Sequence, residues 1–372
     1  MGKYEYLSNT QLGEALRQYL AFLESRGLSS RTEEVPVTDA LGRVSACAAY
    51  ARRSSPHYTA CAMDGIAVLA KRTFGATQTT PVSLREGEFV RVDTGDPLPQ
   101  GCDAVIMIED CVEEADGVVL RSAAAPWQHV RQIGEDLSAG DMILPSYIEI
   151  EPALIGALLA GGVQKISVLA KPRVAIIPTG DEIVSQGETP REGEIPEFNS
   201  AIFCAMLARW GAAGVVYPVV KDDPAKIEQA LRQAASESDL VLLCAGTSAG
   251  RDDGTASAIR SLGEVCVHGI AIRPGKPAVL GAVGNKPVVG VPGYPVSGII
   301  VLEELVKPVI DRLLKREREI AESVCVKMGR RYVSSLKYRE FVRATLGFDS
   351  EGGLTCVPIQ AGAGVITSLT KA

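Results

Sequence analysis

Three short segments of the chain combine glycine with residue types that hold anions. Pro178-Thr179-Gly180-Asp181-Glu182 follows the apolar run Ala175-Ile176-Ile177, and Gly246-Thr247-Ser248-Ala249-Gly250 follows Val241-Leu242-Leu243-Cys244-Ala245. Arg273-Pro274-Gly275-Lys276-Pro277 sets two cations on a stiff turn. Exposed N–H groups in a glycine-rich loop, flanked by hydroxyls, suit a phosphate or a phosphate-like oxyanion. Proline fixes φ and lowers the cost of holding two like charges together. Acids cluster beside these loops: Asp181, Glu182, Asp222, Asp223, Asp252 and Asp253. Carboxylates next to a phosphate loop suit a hard divalent cation such as Mg²⁺. Two further turns, Ala62-Met63-Asp64-Gly65 and Asp93-Thr94-Gly95-Asp96-Pro97, offer an exposed carboxylate and hydroxyl.

Each segment also has a purely structural reading. A Gly-Ser loop after a strand is an ordinary strand-to-helix turn, and Asp223 before Pro224 reads as a helix cap. Neither a P-loop nor a dinucleotide fingerprint is present. No Ser-His-Asp or Cys-His arrangement stands out, which disfavours covalent nucleophilic catalysis. What favours a site is that all three polar loops fall at strand ends, where open α/β sheets bind ligands.

The elements that would position these loops follow from periodicity. Residues 8–27 read as a helix capped by Ser8 and stopped by Gly27, with Leu12, Leu16, Tyr19, Leu20 and Leu23 on one face. VPVTDALGRV reads as a short strand turning at Leu41-Gly42. From 46 to 124, short strands broken by Gly, Pro and Asp (GIAVLA, EFVRV, AVIMIED, VVLRS) read as a compact β module. PALIGALLAGG reads as a helix and KISVLA as a strand. From Lys171 on, strand and helix alternate with short connections, the pattern of a mostly parallel, doubly wound sheet. Asn199 and Ser200 are placed to cap AIFCAMLARWG, and the last long helix is expected to break at Pro308. VSSLKYREFVRATLGF, LTCVPIQ and GVITSLT return to strands.

Composition bounds the function. The 372 residues are 46% hydrophobic and 22% charged, ordinary for a globular protein with a real core. Lys and Arg number 38 against 45 Asp and Glu, a net charge of -7 that excludes a global basic field for nucleic acid. The nine cysteines form no C-x-x-C pair, and the three histidines are far apart, which argues for reduced thiols and against zinc. The polar N-terminus is no signal peptide, and no apolar run reaches the roughly 20 residues that span a bilayer. A soluble, cytoplasmic protein with no membrane association is the expectation.

Seven segments in order resemble one family, the MoeA type of molybdopterin molybdenumtransferase, which includes the gephyrin E domain. They are CAMDGIAV (Cys61–Val68), TGDPLPQGCDAVIMIED (Thr94–Asp110), VRQIGEDLSAGD (Val130–Asp141), PTGDEIV (Pro178–Val184), AGTSAGRDD (245–253), IRPGKP (Ile272–Pro277) and VPGYPVS (Val291–Ser297). The resemblance implies an α/β plus β multidomain fold. Its parts would be an elongated discontinuous dimerisation domain (1–45 and 125–170), an inserted β domain (46–124), a three-layer α/β molybdopterin-binding domain (171–318) and a C-terminal β-barrel-like domain (319–372). The last is expected to be incomplete, because the family continues past the segment matching GVITSLTKA. A shortened chain or a fusion running into another domain would account for that.

The activity implied is molybdenum cofactor biosynthesis: insertion of molybdate, or tungstate, into adenylylated molybdopterin with release of AMP, dependent on Mg²⁺, in a homodimer. The resemblance assigns catalytic roles to Asp64, Thr94, Arg131, Asp136, Glu182 and Lys276, with Asp64, Asp136 and Glu182 holding metal. Substrate binding falls to Thr179, Gly180, Asp181, Asp222, Gly246, Thr247, Ser248, Gly250, Asp253, Arg273, Pro292, Pro295 and Ser297. Asp64, Thr94, Arg131 and Asp136 would reach the site from the other side of a cleft between subunits. The sequence departs from the family pattern at Cys61 (usually Ser), Ala245 (Gly), Arg251 (acidic), Arg273 (Lys) and Tyr294 (Asn). The alternative is a non-catalytic molybdopterin- or oxyanion-binding regulatory module of a longer fusion protein; a gephyrin-like scaffold is a third reading. The retained carboxylates favour the enzyme, since a mere binder needs no metal-holding acids.

Overall fold

A computed structural model describes residues 9–245, 254–317 and 323–372. The chain divides into two compact units: Glu33–Val168, and the residues up to Thr32 joined with those from Leu169 onward. We call them the β unit and the α/β unit.

Helix α1 (Leu12–Ser25) belongs to the α/β unit and buries Leu12, Ala15, Leu16, Tyr19 and Leu23, the expected face. It starts at Leu12, later than the periodicity alone implied, and Gln11 caps it without a side-chain bond. The proposed cap Ser8 lies outside the described residues. Gly27, with φ 78, leaves the helix as anticipated. The phenol of Tyr19 is fully buried and donates to the carbonyls of Gly281 (3.0 Å) and Val288 (3.2 Å), tying α1 to the main sheet.

The β unit contains two three-stranded antiparallel sheets. One places Gly65–Val68 between Phe89–Val92 and Ala104–Met107; the other places Gly117–Leu120 between Val82–Arg85 and Cys111–Glu114. Ile66, Val68, Phe89 and Ile106 of the first share a core with Leu84, Val118 and Leu120 of the second. A second core gathers Val37, Leu144, Ile150, Val163 and Val168 around Leu158 of α2 (Pro152–Ala160). The strand expected through VPVTDALGRV is shorter: it ends at Pro36, and Val37–Asp39 forms a 3-10 turn before Leu41-Gly42.

The α/β unit is built on a six-stranded sheet in the order Ala213–Val216, Arg173–Pro178, Leu240–Ala245, Lys286–Pro292, Val279–Val283, Glu264–His268. The first four strands are parallel; Val279–Val283 runs antiparallel to them, and Glu264–His268, antiparallel to it, runs with the first four. Val174 through Pro178 are all buried, as a strand covered on both faces must be. Ile227 and Leu231 of α4 (Pro224–Glu237) and Ile259 of α5 (Gly254–Leu262) pack with Ala175, Ile177, Val241 and Leu243 in one apolar cluster. Asp223 caps α4 by accepting from the Ala225 N–H at 3.0 Å, as read from sequence. Helix α3 (Asn199–Arg209) packs against α6 (Pro295–Val301).

Three local expectations are corrected. Neither Asn199 nor Ser200 caps α3; both lie inside it, and the Glu197 carboxylate accepts from the Ser200 N–H at 2.8 Å. A carboxylate there gains from the positive helix end. The helical run after α6 does not end at Pro308. It widens into a π turn over Leu302–Val306 and resumes as α7 (Lys307–Leu313), which absorbs the missing proline N–H. GVITSLT is no strand: Ile366–Ser368 forms a 3-10 turn. C-terminal to α7, the described residues hold a three-stranded sheet ordered Lys327–Met328, Leu354–Pro358, Ala344–Phe348. Arg339–Glu340 pairs in parallel with Ile272–Arg273.

Candidate functional site

In the β unit, Asp64 sits on the turn that ends at Gly65. The Thr94 N–H donates to Asp64 Oδ1 at 2.6 Å, so two expected residues thirty positions apart are in contact. The turn carrying Thr94 is clamped to the strand before Asp64. Cys61 N–H donates to the Asp96 carbonyl and Gly95 N–H to the Cys61 carbonyl, both at 2.8 Å. The Tyr58 hydroxyl donates to the Gly95 carbonyl at 2.8 Å. Gly65 is required here: at φ 154 a Cβ would stand 2.0 Å from the Ile106 carbonyl oxygen. The Thr94 N–H and hydroxyl hold the Asp64 carboxyl below the usual carboxylate range.

Arg131 pairs with Ala60 across the short ladder Ala60–Cys61/Val130–Arg131, and its side chain reaches Glu135 at 3.4 Å. Asp136 is exposed, and its backbone N–H is anchored on the Ser55 carbonyl at 3.1 Å. A pocket of about 260 Å³ is lined by Asp64, Arg91, Asp93, Asp96 and Ile108 among others. Arg91 was not anticipated. It forks onto Glu113 at 2.5 and 2.9 Å and stacks over Phe89. Only the strand pairing brings it beside Asp64, which is why linear spacing gave no signal.

In the α/β unit, the loop after Arg173–Pro178 meets the loop before α4. Gly180 N–H donates to the Val220 carbonyl at 3.1 Å, and Asp222 N–H to Asp181 Oδ1 at 3.2 Å. The Lys221 ammonium, also unanticipated, donates to the carbonyls of Asp181 (2.8 Å) and Ile183 (3.2 Å). Partial burial, then the charges of Asp181 and Glu182, push the Asp222 carboxyl up. Thr179 is buried, and its hydroxyl donates to the Cys244 carbonyl at 3.1 Å. Its role in the described structure is therefore to join two strand ends.

Pro292 ends its strand buried, Pro295 opens α6, and Ser297 is buried one turn on. Beside them, Asn199 Nδ2 donates to the Gly293 carbonyl at 2.7 Å. Asn199 Oδ1 and Ser200 Oγ are buried without a hydrogen-bond partner among the described residues. Such orphans call for explanation; the local sequence points only to a helix cap for both residues. The Arg273 guanidinium lies over the Tyr338 ring at 4.9 Å, and Lys276 Nζ over the same ring at 5.5 Å. Gly246, Thr247, Ser248, Gly250 and Asp253 lie outside the described residues.

Among the described residues no group of three or more His, Cys, Asp or Glu side chains forms a metal cage. Mg²⁺ needs no such cage: it keeps waters and takes one or two carboxylates plus substrate phosphates. Oxygen donors that crowd one another's charge, as Asp181, Glu182 and Asp222 do, fit that hard cation. All nine cysteines are free thiols. No described helix is long and apolar enough to cross a membrane.

Two family models match the chain: "MoeA N-terminal region (domain I and II)" over residues 10–162, and "Probable molybdopterin binding domain" over residues 175–312. A Methanocaldococcus jannaschii protein named for molybdopterin biosynthesis is 34% identical over 360 residues, covering 92% of this chain and 87% of that protein. The chain belongs to the MoeA family. Molybdopterin molybdenumtransferase 2 of Mycobacterium tuberculosis is 34% identical over 299 residues, 74% of this chain and 73% of its own length. A crystal structure of a Pyrococcus horikoshii MoeA molybdopterin biosynthesis protein matches with a TM-score of 0.83 at 33% identity, covering 98% of this MoeA-family chain and 93% of that one. Family membership makes the chain a transferase of molybdenum cofactor biosynthesis.

Proposed function

We propose that the chain inserts molybdate, or tungstate, into adenylylated molybdopterin with release of AMP, in a Mg²⁺-dependent reaction. The observation that carries the reading is the meeting of carboxylates at the parallel strand ends: the Asp222 N–H donates to Asp181 Oδ1 at 3.2 Å, and partial burial, then the charges of Asp181 and Glu182, push the Asp222 carboxyl up. Negative charge that Lys221 only partly offsets, at the carboxyl end of a parallel sheet, would be stabilised by a divalent cation.

The chain's own residues bind, orient and neutralise. Arg273 and Lys276 hold oxyanion charge; Thr247, Ser248 and Gly250 hold the pterin phosphate region, Asp181, Glu182 and Asp222 bind metal or the pterin ring, and Thr179, Gly180 and Asp253 complete the substrate contacts. Pro292, Pro295 and Ser297 shape the neighbouring wall. Asp64, whose charged form Thr94 favours, would position the pyrophosphate, metal and molybdate together with Thr94, Arg131 and Asp136. Asp64, Asp136 and Glu182 are the carboxylates proposed for Mg²⁺, which would supply charge neutralisation at the phosphates. Catalysis is positioning and electrostatic stabilisation of the leaving adenylate, with no covalent enzyme intermediate. We read the working form as a cytoplasmic homodimer.

Purified protein incubated with adenylylated molybdopterin, Mg²⁺ and molybdate is expected to release AMP and metal-loaded pterin. Tight pterin binding without turnover would overturn the enzymatic reading in favour of a regulatory module. Light scattering at twice the chain mass tests the dimer.

A further inference from the structure

Two like charges three residues apart repel unless something gathers them. Arg273 and Lys276 are gathered on one phenol ring, at 4.9 and 5.5 Å from the Tyr338 centroid. Both distances lie within cation–π range. Tyr338 comes from a segment 62 positions beyond Lys276, yet its place is set by the backbone. Arg339 N–H donates to the Ala271 carbonyl and Phe341 N–H to the Arg273 carbonyl, at 2.8 and 2.9 Å. Gly275, at φ 112, lets the turn close: a Cβ there would stand 2.8 Å from Ile272 Cδ1.

Glu340 is the counterweight. Its side chain is 7% exposed and lies 3.7 Å from Arg273 Nη1. That separation is ion pairing without a hydrogen bond. The two carboxylate oxygens are already served, Oε2 by the Tyr332 hydroxyl at 2.8 Å and Oε1 by the Ser335 N–H at 3.2 Å. Arg273 therefore keeps its forked donors, and its side chain is 61% exposed. Among the described residues Lys276 makes no ion pair. The result is a partly compensated double cation with donors to spare, matched to a tetrahedral dianion.

We propose that Tyr338 is a positioning residue for oxyanion capture. Its ring holds Arg273 and Lys276 together as one cradle, and Glu340 sets how much of the Arg273 charge is left for the ligand. The inference rests on the oxyanion reading of this turn given above, and it adds the two residues that tune it.

The test is equilibrium binding of tungstate alone to the full chain, by calorimetry, beside steady-state turnover with molybdate. Tyr338→Leu is expected to weaken tungstate binding about tenfold, the loss of two partly exposed cation–π contacts, and to raise KM for molybdate with kcat nearly unchanged. Tyr338→Phe keeps the ring and should bind as wild type. Glu340→Gln should bind tungstate about threefold tighter, a gain that no folding defect produces. Equal binding by wild type and Tyr338→Leu, with turnover intact, overturns this proposal alone. Wild type that binds no tungstate overturns it together with the oxyanion reading.

Discussion

Asp64 of the β unit and Asp222 of the α/β unit are both exposed aspartates on loops at strand ends, and their carboxyls are pushed in opposite directions. Asp64 is met by donors: the Thr94 N–H at 2.6 Å and the Thr94 hydroxyl favour its charged form. Asp222 is met by partial desolvation and by two acids, which disfavour it. Residue type is the same; local burial and the neighbours differ. The first arrangement favours the charged carboxylate that the proposed role of Asp64 calls for. The second leaves charge that Lys221 only partly offsets, which is the ground for the proposed cation.

The comparison can be broken most severely at Gly65. Gly65→Ala drives a Cβ to within 2.0 Å of the Ile106 carbonyl, so a loss of about 3 kcal/mol in denaturant melts is expected. A variant as stable as wild type would show that the Asp64 turn has room to move. Asp64→Ala comes next. It should leave the melting curve nearly intact and lower turnover by about a hundredfold or more; normal turnover would remove Asp64 from the site. Carbon-detected carboxyl titration should then separate the pair, Asp64 titrating below and Asp222 above the ordinary aspartate value of about 3.9.

The two shifts have opposite consequences for stability. Asp64, lowered in the folded state, stabilises above its unfolded-state pKa, and that contribution is lost as pH falls through its folded value. Asp222, raised, favours folding below its unfolded-state pKa, and that contribution is lost as pH rises through its folded value. At neutral pH its charge is thus a liability to the empty fold. Asp222→Asn should therefore stabilise the metal-free protein slightly, by about 0.5 kcal/mol at most, while raising the Mg²⁺ concentration needed for turnover. A destabilised variant would mean that Asp222 makes a favourable contact.

Much of the frame was legible in the chain. The strands around 65–68, 89–92, 104–107 and 117–120, the alternating sheet from Arg173 on and the Asp223 cap follow from local periodicity and turn chemistry. Asn199 and Ser200 were misread because Ser and Asn before an apolar run look like caps, and only the fold shows Glu197 in that place. Pro308 was read as a break because a sequence cannot show that buried Leu302, Leu305 and Val306 on the preceding turn hold the widened helix together. Arg91, Lys221, Tyr338 and Glu340 carry no motif; the structure brings each to a loop whose importance the sequence had already signalled.

By itself the sequence determined which residue types stand at which strand ends, and so the family to which the chain belongs. The tertiary structure decided how each group is used. Charge state and aim depend on what lies within a few ångströms, and those neighbours come from positions tens of residues away: Thr94 for Asp64, Asp181 for Asp222, Tyr338 and Glu340 for Arg273. Electrostatic interaction falls off with distance in space, not along the chain.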